Sequence, residues 1–453
     1  MTTIHSESRG FYGKLVSIAL PVVFQSLLNN SLSFVDTLMI GQLGEASIAA
    51  VALANQMFFL ISLLFFGVSS SSAIFLSQFW GARNKTNIQK VLGLSLTIAG
   101  VGAALCSLAS LLLPRQIMHI FTTEPQVVEI GVSYLKIVAI SYLFSAISQI
   151  LATALRVIGQ AKIPLLVALF SLSLNALGNY LLIFGIGPFP VLGVQGAAIA
   201  TTISRLLEVS ILLWIVYRRH PVIALKSREA FRWNKQFLLR IIPTSLPVIL
   251  NEIFWALGMT TYKIAYSRMG IEAIAAINVA ESVGNLFFVA MMGVGNASLI
   301  MIGVKIGEKQ QELARLYAKR FIITSFLVGL TMGGFEFFIA PVFAGFFNIS
   351  EQVKQLAIYC LYIHALLMPI KSINMVIIVG ILRSGGDTRY SMFIETFGVW
   401  AVGVPLAFIG SMLFKLQIHE LYLLIGLEEL TKVFFGLLRI RRGTWLNDLT
   451  NLN

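Results

Sequence analysis

Twelve predominantly apolar stretches, each about 20 residues or longer, follow one another along the chain, and that is the length a helix needs to cross the hydrocarbon core of a bilayer. They begin near Lys14, Ser47, Ile88, Val127, Ile163, Val194, Phe237, Ala273, Ala314, Val353, Ser391 and Ile418. Hydrocarbon offers no partners to backbone N–H and C=O groups, so each such stretch must satisfy its own as a helix. The pattern predicts an all-α polytopic membrane protein. Hydrophobic residues make up 57% of the chain and charged residues 12%, with a mean hydropathy of +0.85, and this excludes an ordinary soluble globule.

The two halves repeat each other. A constant offset of 226 aligns them without gaps over roughly 60 residues. Leu20, Pro21 and Val22 fall on Leu246, Pro247 and Val248, Gly44 on Gly270, and Ile48, Ala49, Ala50 and Ala54 on Ile274, Ala275, Ala276 and Ala280. Gly67 meets Gly293 and Gly81 meets Gly307; after one inserted residue, Leu155, Arg156 and Gly159 match Leu382, Arg383 and Gly386. Twelve transmembrane helices in two six-helix lobes are therefore expected, with an N-terminal lobe at 1–217, a cytoplasmic linker at 218–236 and a C-terminal lobe at 237–453. Six is even, so both lobes insert in the same orientation, related by a pseudo-two-fold along the membrane normal. Parallel repeats of this kind place a substrate site between lobes that rock around it. Small residues along the second and eighth spans permit close, movable helix contacts, which argues against the competing architecture of a fixed duplicated channel or scaffold.

The net charge of +13 could suggest a nucleic-acid partner, but that needs basic residues gathered on one soluble face. Here they occupy alternate short loops: Arg83, Lys85 and Lys90 after the second span, Arg156 and Lys162 after the fourth, and Arg218, Arg219, Lys226, Arg228, Arg232 and Lys235 after the sixth. Lys305, Lys309, Arg383, Arg389, Arg439, Arg441 and Arg442 continue the series. By the positive-inside rule these loops and both termini are cytoplasmic, so the charge reports topology in a plasma membrane and not nucleic-acid binding. Residues 1–13 are polar and the apolar run that follows is too long for a cleavable signal, so the first span stays. Cys106 and Cys360 both fall inside spans and support neither a disulfide framework nor a metal site. No phosphate-binding loop with its Lys is present, so no nucleotide cofactor and no enzyme chemistry are expected.

Intramembrane polar residues carry the functional expectations. A carboxylate at mid-membrane costs roughly 2.5–3.5 kcal/mol on insertion scales, and Asp36 stands alone near the end of an uncharged run from Leu15 to Gly44. The repeat places Tyr262 at its counterpart and Ser26 at the counterpart of Glu252, so these acids are lobe-specific and not architectural. Asn175 and Asn179, four apart, share a helix face, and Thr201 and Thr202 add hydroxyls. These are either interhelical glue or, with Asp36, an oxygen-lined pocket for a proton or an alkali cation, Na+ included. Pro21 offers a hinge or a static kink in the first span. In the second lobe Glu252, Glu281 and Lys371 form either a buried ion pair or a second cation or protonation site. Arg205 and Glu208 should satisfy each other, Glu395 should pair with Arg389 at the interface, Asp387 should cap the eleventh span or pair with Arg389, and Lys263 should snorkel outward.

The run from Phe34 to Gln56, FVDTLMIGQLGEASIAAVALANQ, resembles the start of a bacterial transporter of the multidrug and toxic compound extrusion (MATE) family. PVILNEIFWALG, from Pro247 to Gly258, and ILRSGGDTRY, from Ile381 to Tyr390, resemble such proteins at equivalent places. The resemblance covers essentially the whole chain. It implies antiport of lipophilic organic cations and other drugs, driven by H+ or Na+, by a protein that works as a monomer among membrane lipids. It further implies that Asp36, Asn175, Asn179, Thr201 and Tyr134 form the N-lobe coupling site. Some relatives carry an Asp where Asn179 stands, and its absence leaves one fewer carboxylate for a metal cation, which favours protons. Others hold a cation in the C-lobe through an acid where this chain has Trp255, and a tenth-helix acid is replaced near Lys371 and Ser372. A lipid-linked sugar flippase of the same superfamily would need a basic cavity, whereas these spans carry more acids than arginines; a non-concentrating channel is the other rival.

Overall fold

The computed structural model describes residues 10–225, 228–347 and 349–450; Lys226 and Ser227 of the expected linker, and both chain ends, lie outside them. Among the described residues ten helices are long and apolar enough to span a membrane: α1 (Phe11–Gly41), α2 (Glu45–Gly81), α3 (Lys85–Leu112), α7 (Lys162–Phe184), α8 (Gly193–Arg219), α9 (Lys235–Ser267), α10 (Ile271–Gly307), α11 (Gln311–Gly345), α12 (Glu351–Leu382) and α13 (Thr388–Leu413). A short helix, α4 (Pro114–Phe121), precedes an eleventh span made of α5 (Pro125–Val138) and α6 (Ser141–Val157), bent by 50° between them. The twelfth expected stretch divides at Gly426 into α14 (Ile418–Ile425) and α15 (Leu427–Arg442), neither long and apolar enough by itself to span a membrane, the second carrying Glu428, Glu429 and Lys432. The fold is all-α and polytopic, as the apolar pattern predicts.

The bend between α5 and α6 has no proline to cause it. Its origin is tertiary: the Ser107 hydroxyl on α3 donates to the Ala139 carbonyl at 2.6 Å, and Ser141 closes back on Val138 at 2.6 Å. A side chain inserted into the backbone ladder is one of the few physical causes of a sharp kink.

By contacts the chain divides into two compact units. The N-terminal unit comprises Phe24–Leu76 and Asn84–Lys235. Its α7 and α8 approach at small residues, since a methyl on Gly196 would lie 2.6 Å from the Leu182 carbonyl oxygen and one on Gly178 would lie 3.0 Å from Ala200 Cβ. The connection after α8 does not hang free. Gln89 donates to the Ala224 carbonyl at 2.9 Å, Trp233 Nε1 donates to the Lys90 carbonyl at 3.1 Å, and Ile223, Ala224 and Ala230 are buried, which fastens the connection to the base of α3.

The C-terminal unit comprises the described residues through Val23, Ser77–Arg83, and the chain from Gln236 onward. Here α10 is the central helix, and the repeat-related glycines Gly81 and Gly307 meet. A methyl on Gly81 would lie 2.1 Å from the Val304 carbonyl oxygen, and one on Gly307 would lie 1.9 Å from that of Gln78. Gln78, fully buried, donates to the Ser384 carbonyl at 2.7 Å and accepts from the Leu449 N–H at 2.7 Å, so the segment after α15 is folded back onto this unit. Trp445, 1% exposed, seals it against Gly385.

Candidate functional site

Asp36 lies near the end of α1 and is half-buried. Its Oδ1 accepts from Asn179 Nδ2 at 2.6 Å. Asn175, one turn earlier on α7, completes the arrangement when its amide is oriented by its neighbours: its nitrogen then donates to Asp36 Oδ1 at 3.3 Å and its oxygen accepts from the Thr201 hydroxyl at 3.2 Å. The i, i+4 spacing on α7 puts both amides on one face, as the sequence requires. Asp36, Asn179, Thr201, Tyr134 and Asn55 line a cavity of about 140 Å³, and the Tyr134 hydroxyl donates to Asn55 Oδ1 at 3.4 Å. Thr202 turns away and bonds the Ile137 carbonyl. That volume suits an ion or a few waters; drug-sized ligands fill roughly 300–1,000 Å³.

The site is polar without being salt-bridged. Amide and hydroxyl groups surround the carboxylate, while the nearby Arg205 pairs with Glu208 at 2.8 Å, as expected from their spacing. Asn179 Oδ1 is buried and has no hydrogen-bond partner. A proton donor or a cation beside it would satisfy this acceptor.

The second-lobe candidates do not come together. Glu252 on α9 forms a buried pair with Arg383 at 2.9 Å, Glu281 on α10 pairs with Lys263 at 3.3 Å, and Lys371 on α12 lies 5.6 Å from the Tyr422 ring centroid with its Nζ 3.5 Å from the hydroxyl. The expected acid–Lys pairing among these three is replaced by separate partners on other helices. Two loop expectations also change. Asp387 binds Arg439 at 2.7 Å and makes no side-chain cap, and Glu395 accepts from Asn251 at 2.8 Å, so neither takes Arg389 as its partner. Pro21 lies inside α1, which stays helical through it, and the division between the two units falls between Val23 and Phe24, two residues further on.

A family model, MatE, matches residues 21–181 and again 247–409, two segments whose starts at Pro21 and Pro247 are 226 residues apart. The chain belongs to the MatE family. Over 434 residues it is 23% identical to an uncharacterised transporter, YisQ, of Bacillus subtilis, covering 95% of this chain and 94% of that one. It is equally 23% identical to a probable multidrug resistance protein, NorM, of Thermotoga maritima, covering 95% and 92%. The fold is similar to that of the Vibrio cholerae MATE transporter VcmN in its bent form, with a TM-score of 0.87 at 20% identity, covering 100% of this chain and 99% of that one. The chain is thus a multi-pass membrane protein of the MatE family with the twelve-helix MATE fold.

Several intramembrane charges of this MatE chain are absent from the sequence expectations: Glu336 with His364, and Glu428, Glu429 and Lys432 on α15. The signal was available. Each lies within an apolar stretch, and the same cost of burying charge that singles out Asp36 applies to them. Among the described residues no group of three or more His, Cys, Asp or Glu side chains is arranged to hold a metal ion.

Proposed function

We propose that the chain is a secondary active antiporter that exports lipophilic organic cations and other drugs in exchange for inward-moving protons, with Asp36 as the coupling carboxylate. The observation that carries this reading is an intramembrane acid beside a cavity, held by amides and not by a cation. Such a group can exist in two states. Ionised, it accepts from Asn179 and Asn175. Protonated, its hydroxyl can donate to an amide oxygen, and the unpaired Asn179 Oδ1 is an acceptor on the same side chain that already donates to Asp36. An acid and an amide facing each other can make two hydrogen bonds when the acid is protonated and only one when it is ionised. A proton moving inward releases about 2.3 kcal/mol per 100 mV of membrane potential, in addition to any concentration gradient.

The oxygen lining of the cavity favours one competing ion, Na+, since carboxylate, amide and hydroxyl oxygens are hard ligands. In either case the protein acts as a transporter and not an enzyme, alternating its access across the plasma membrane, with the basic loops and both termini on the cytoplasmic side. It works as a monomer solvated by lipid. Pro21 serves as the hinge of α1, whose first part belongs to one unit and whose Asp36-bearing part belongs to the other.

Cells expressing the protein should exclude a fluorescent organic cation. Asp36→Asn should abolish exclusion while the protein remains in the membrane, and unchanged efflux in that variant would remove Asp36 from the mechanism.

A further inference from the structure

The C-terminal unit contains a titratable pair that the scheme above does not use. Glu336 on α11 is wholly buried, and both its carboxylate oxygens face His364 Nδ1 on α12, at 2.8 and 3.0 Å. The carboxylate side chain has no exposed surface and the imidazole keeps 9% of its own, so the ring is the less enclosed of the two partners. Bare backbone holds that ring in place. A methyl on Gly284 of α10 would lie 2.8 Å from His364 Cε1, and the Tyr422 ring of α14 lies roughly parallel to the imidazole, 6.4 Å between centroids.

Other titratable groups lie on α12 itself and on other helices of the unit. On α12 itself lie Lys371, two turns on, and the Cys360 thiol, one turn back. From α15 come Glu428 and Glu429, with Lys432 between them at 3.2 and 3.9 Å. From α9, Tyr262 bonds Glu428 and Tyr266 is buried alongside, while Glu281 on α10 is already paired with Lys263. The Glu336 carboxylate meets an imidazole and not a Lys or Arg, so one proton on the pair makes it neutral. Its loss leaves an uncompensated charge in a low-dielectric interior, which is expensive unless another cation arrives.

We propose that Glu336 and His364 form a second proton-binding site, separate from Asp36, carrying one exchangeable proton shared between the carboxyl group and the imidazole. In the loaded state the Glu336 hydroxyl donates to His364 Nδ1 and the ring N–H is on Nε2. On release, the Nε2 proton leaves to solvent and the carboxyl proton passes to Nδ1, giving a carboxylate bonded by a neutral Nδ1–H imidazole. One proton departs, no other bond changes, and uptake is the reverse. The use of this proton in transport rests on the antiport reading; its binding does not.

The test is an infrared pH-difference spectrum of the full-length protein in lipid. The wild type should show the C=O stretch of a protonated carboxyl that disappears as pH is raised. Glu336→Gln should lack that band, Asp36→Asn should retain it, and His364→Gln, which leaves the acid in place, should move its midpoint. Wild-type and Glu336→Gln spectra that are identical, or a midpoint unmoved in His364→Gln, would overturn the proposal. Because no substrate is added, this outcome is independent of whether Asp36→Asn stops efflux.

Discussion

The two halves of the chain repeat one sequence but give repeat-related charges different partners. Repeat-related arginines show it most simply. In the N-terminal unit Arg156 donates to the neutral Gln25 at 2.8 Å, whereas in the C-terminal unit Arg383 meets the acid Glu252 at 2.9 Å. The acids differ in the same respect. Asp36 has amide partners and an adjoining cavity, while Glu252, Glu281 and Glu428 each meet a Lys or Arg, as Glu208 does in the N-terminal unit. Pairing offsets the desolvation of a charge and fixes it in place. An acid stabilised only by amides and hydroxyls keeps both protonation states within reach, because its neighbours can donate to one state and accept from the other.

That contrast predicts effects of graded size. Glu252→Ala should be the most damaging to folding, because it removes the acid that Arg383, 1% exposed, meets at 2.9 Å. Removing one partner of a buried pair typically costs about 3–5 kcal/mol, and thermal unfolding in detergent measures it. A variant as stable as the wild type would show that the pair is not what holds the charge. Asn179→Ala should instead spare the fold and weaken coupling. The hydrogen bond it donates to the ionised carboxylate is worth about 1.5–3 kcal/mol, so its loss favours the protonated form and hinders release, and the proton concentration needed for half-maximal transport should fall on the order of tenfold or more. If thermal stability falls while ion dependence is unmoved, Asn179 belongs with the structural pairs. Lys263→Ala should do least. Its side chain is 59% exposed, and surface pairs contribute about 0–1 kcal/mol, so a large loss of stability or transport would place Glu281 among the functional acids.

The fold was legible wherever the cause was local. Twelve apolar stretches name twelve helical segments because hydrocarbon leaves the backbone no other solution. The break at Ala139 and Ile140 was not legible, since it depends on a serine from another helix, and neither was the docking of the linker through Gln89 and Trp233. The N-terminal site was readable for the same local reason: an expensive acid, and two asparagines whose i, i+4 spacing aims them together. Its connection to α8 through Thr201 follows from small residues that allow α7 and α8 to touch. In the C-terminal unit the partners were out of reach, because Glu252 and Arg383 are 131 residues apart and no periodicity links them. Glu336 and His364 could have been flagged as intramembrane charges, though their pairing could not.

The central claim is that the unpaired acid of the N-terminal unit couples an ion to export. It is tested most directly in proteoliposomes by imposing a pH gradient or a sodium gradient, one at a time, and following uptake of an organic cation by wild type and Asp36→Asn. The account predicts uphill accumulation by the wild type under the pH gradient and none by the variant. Equal accumulation by both proteins would contradict it.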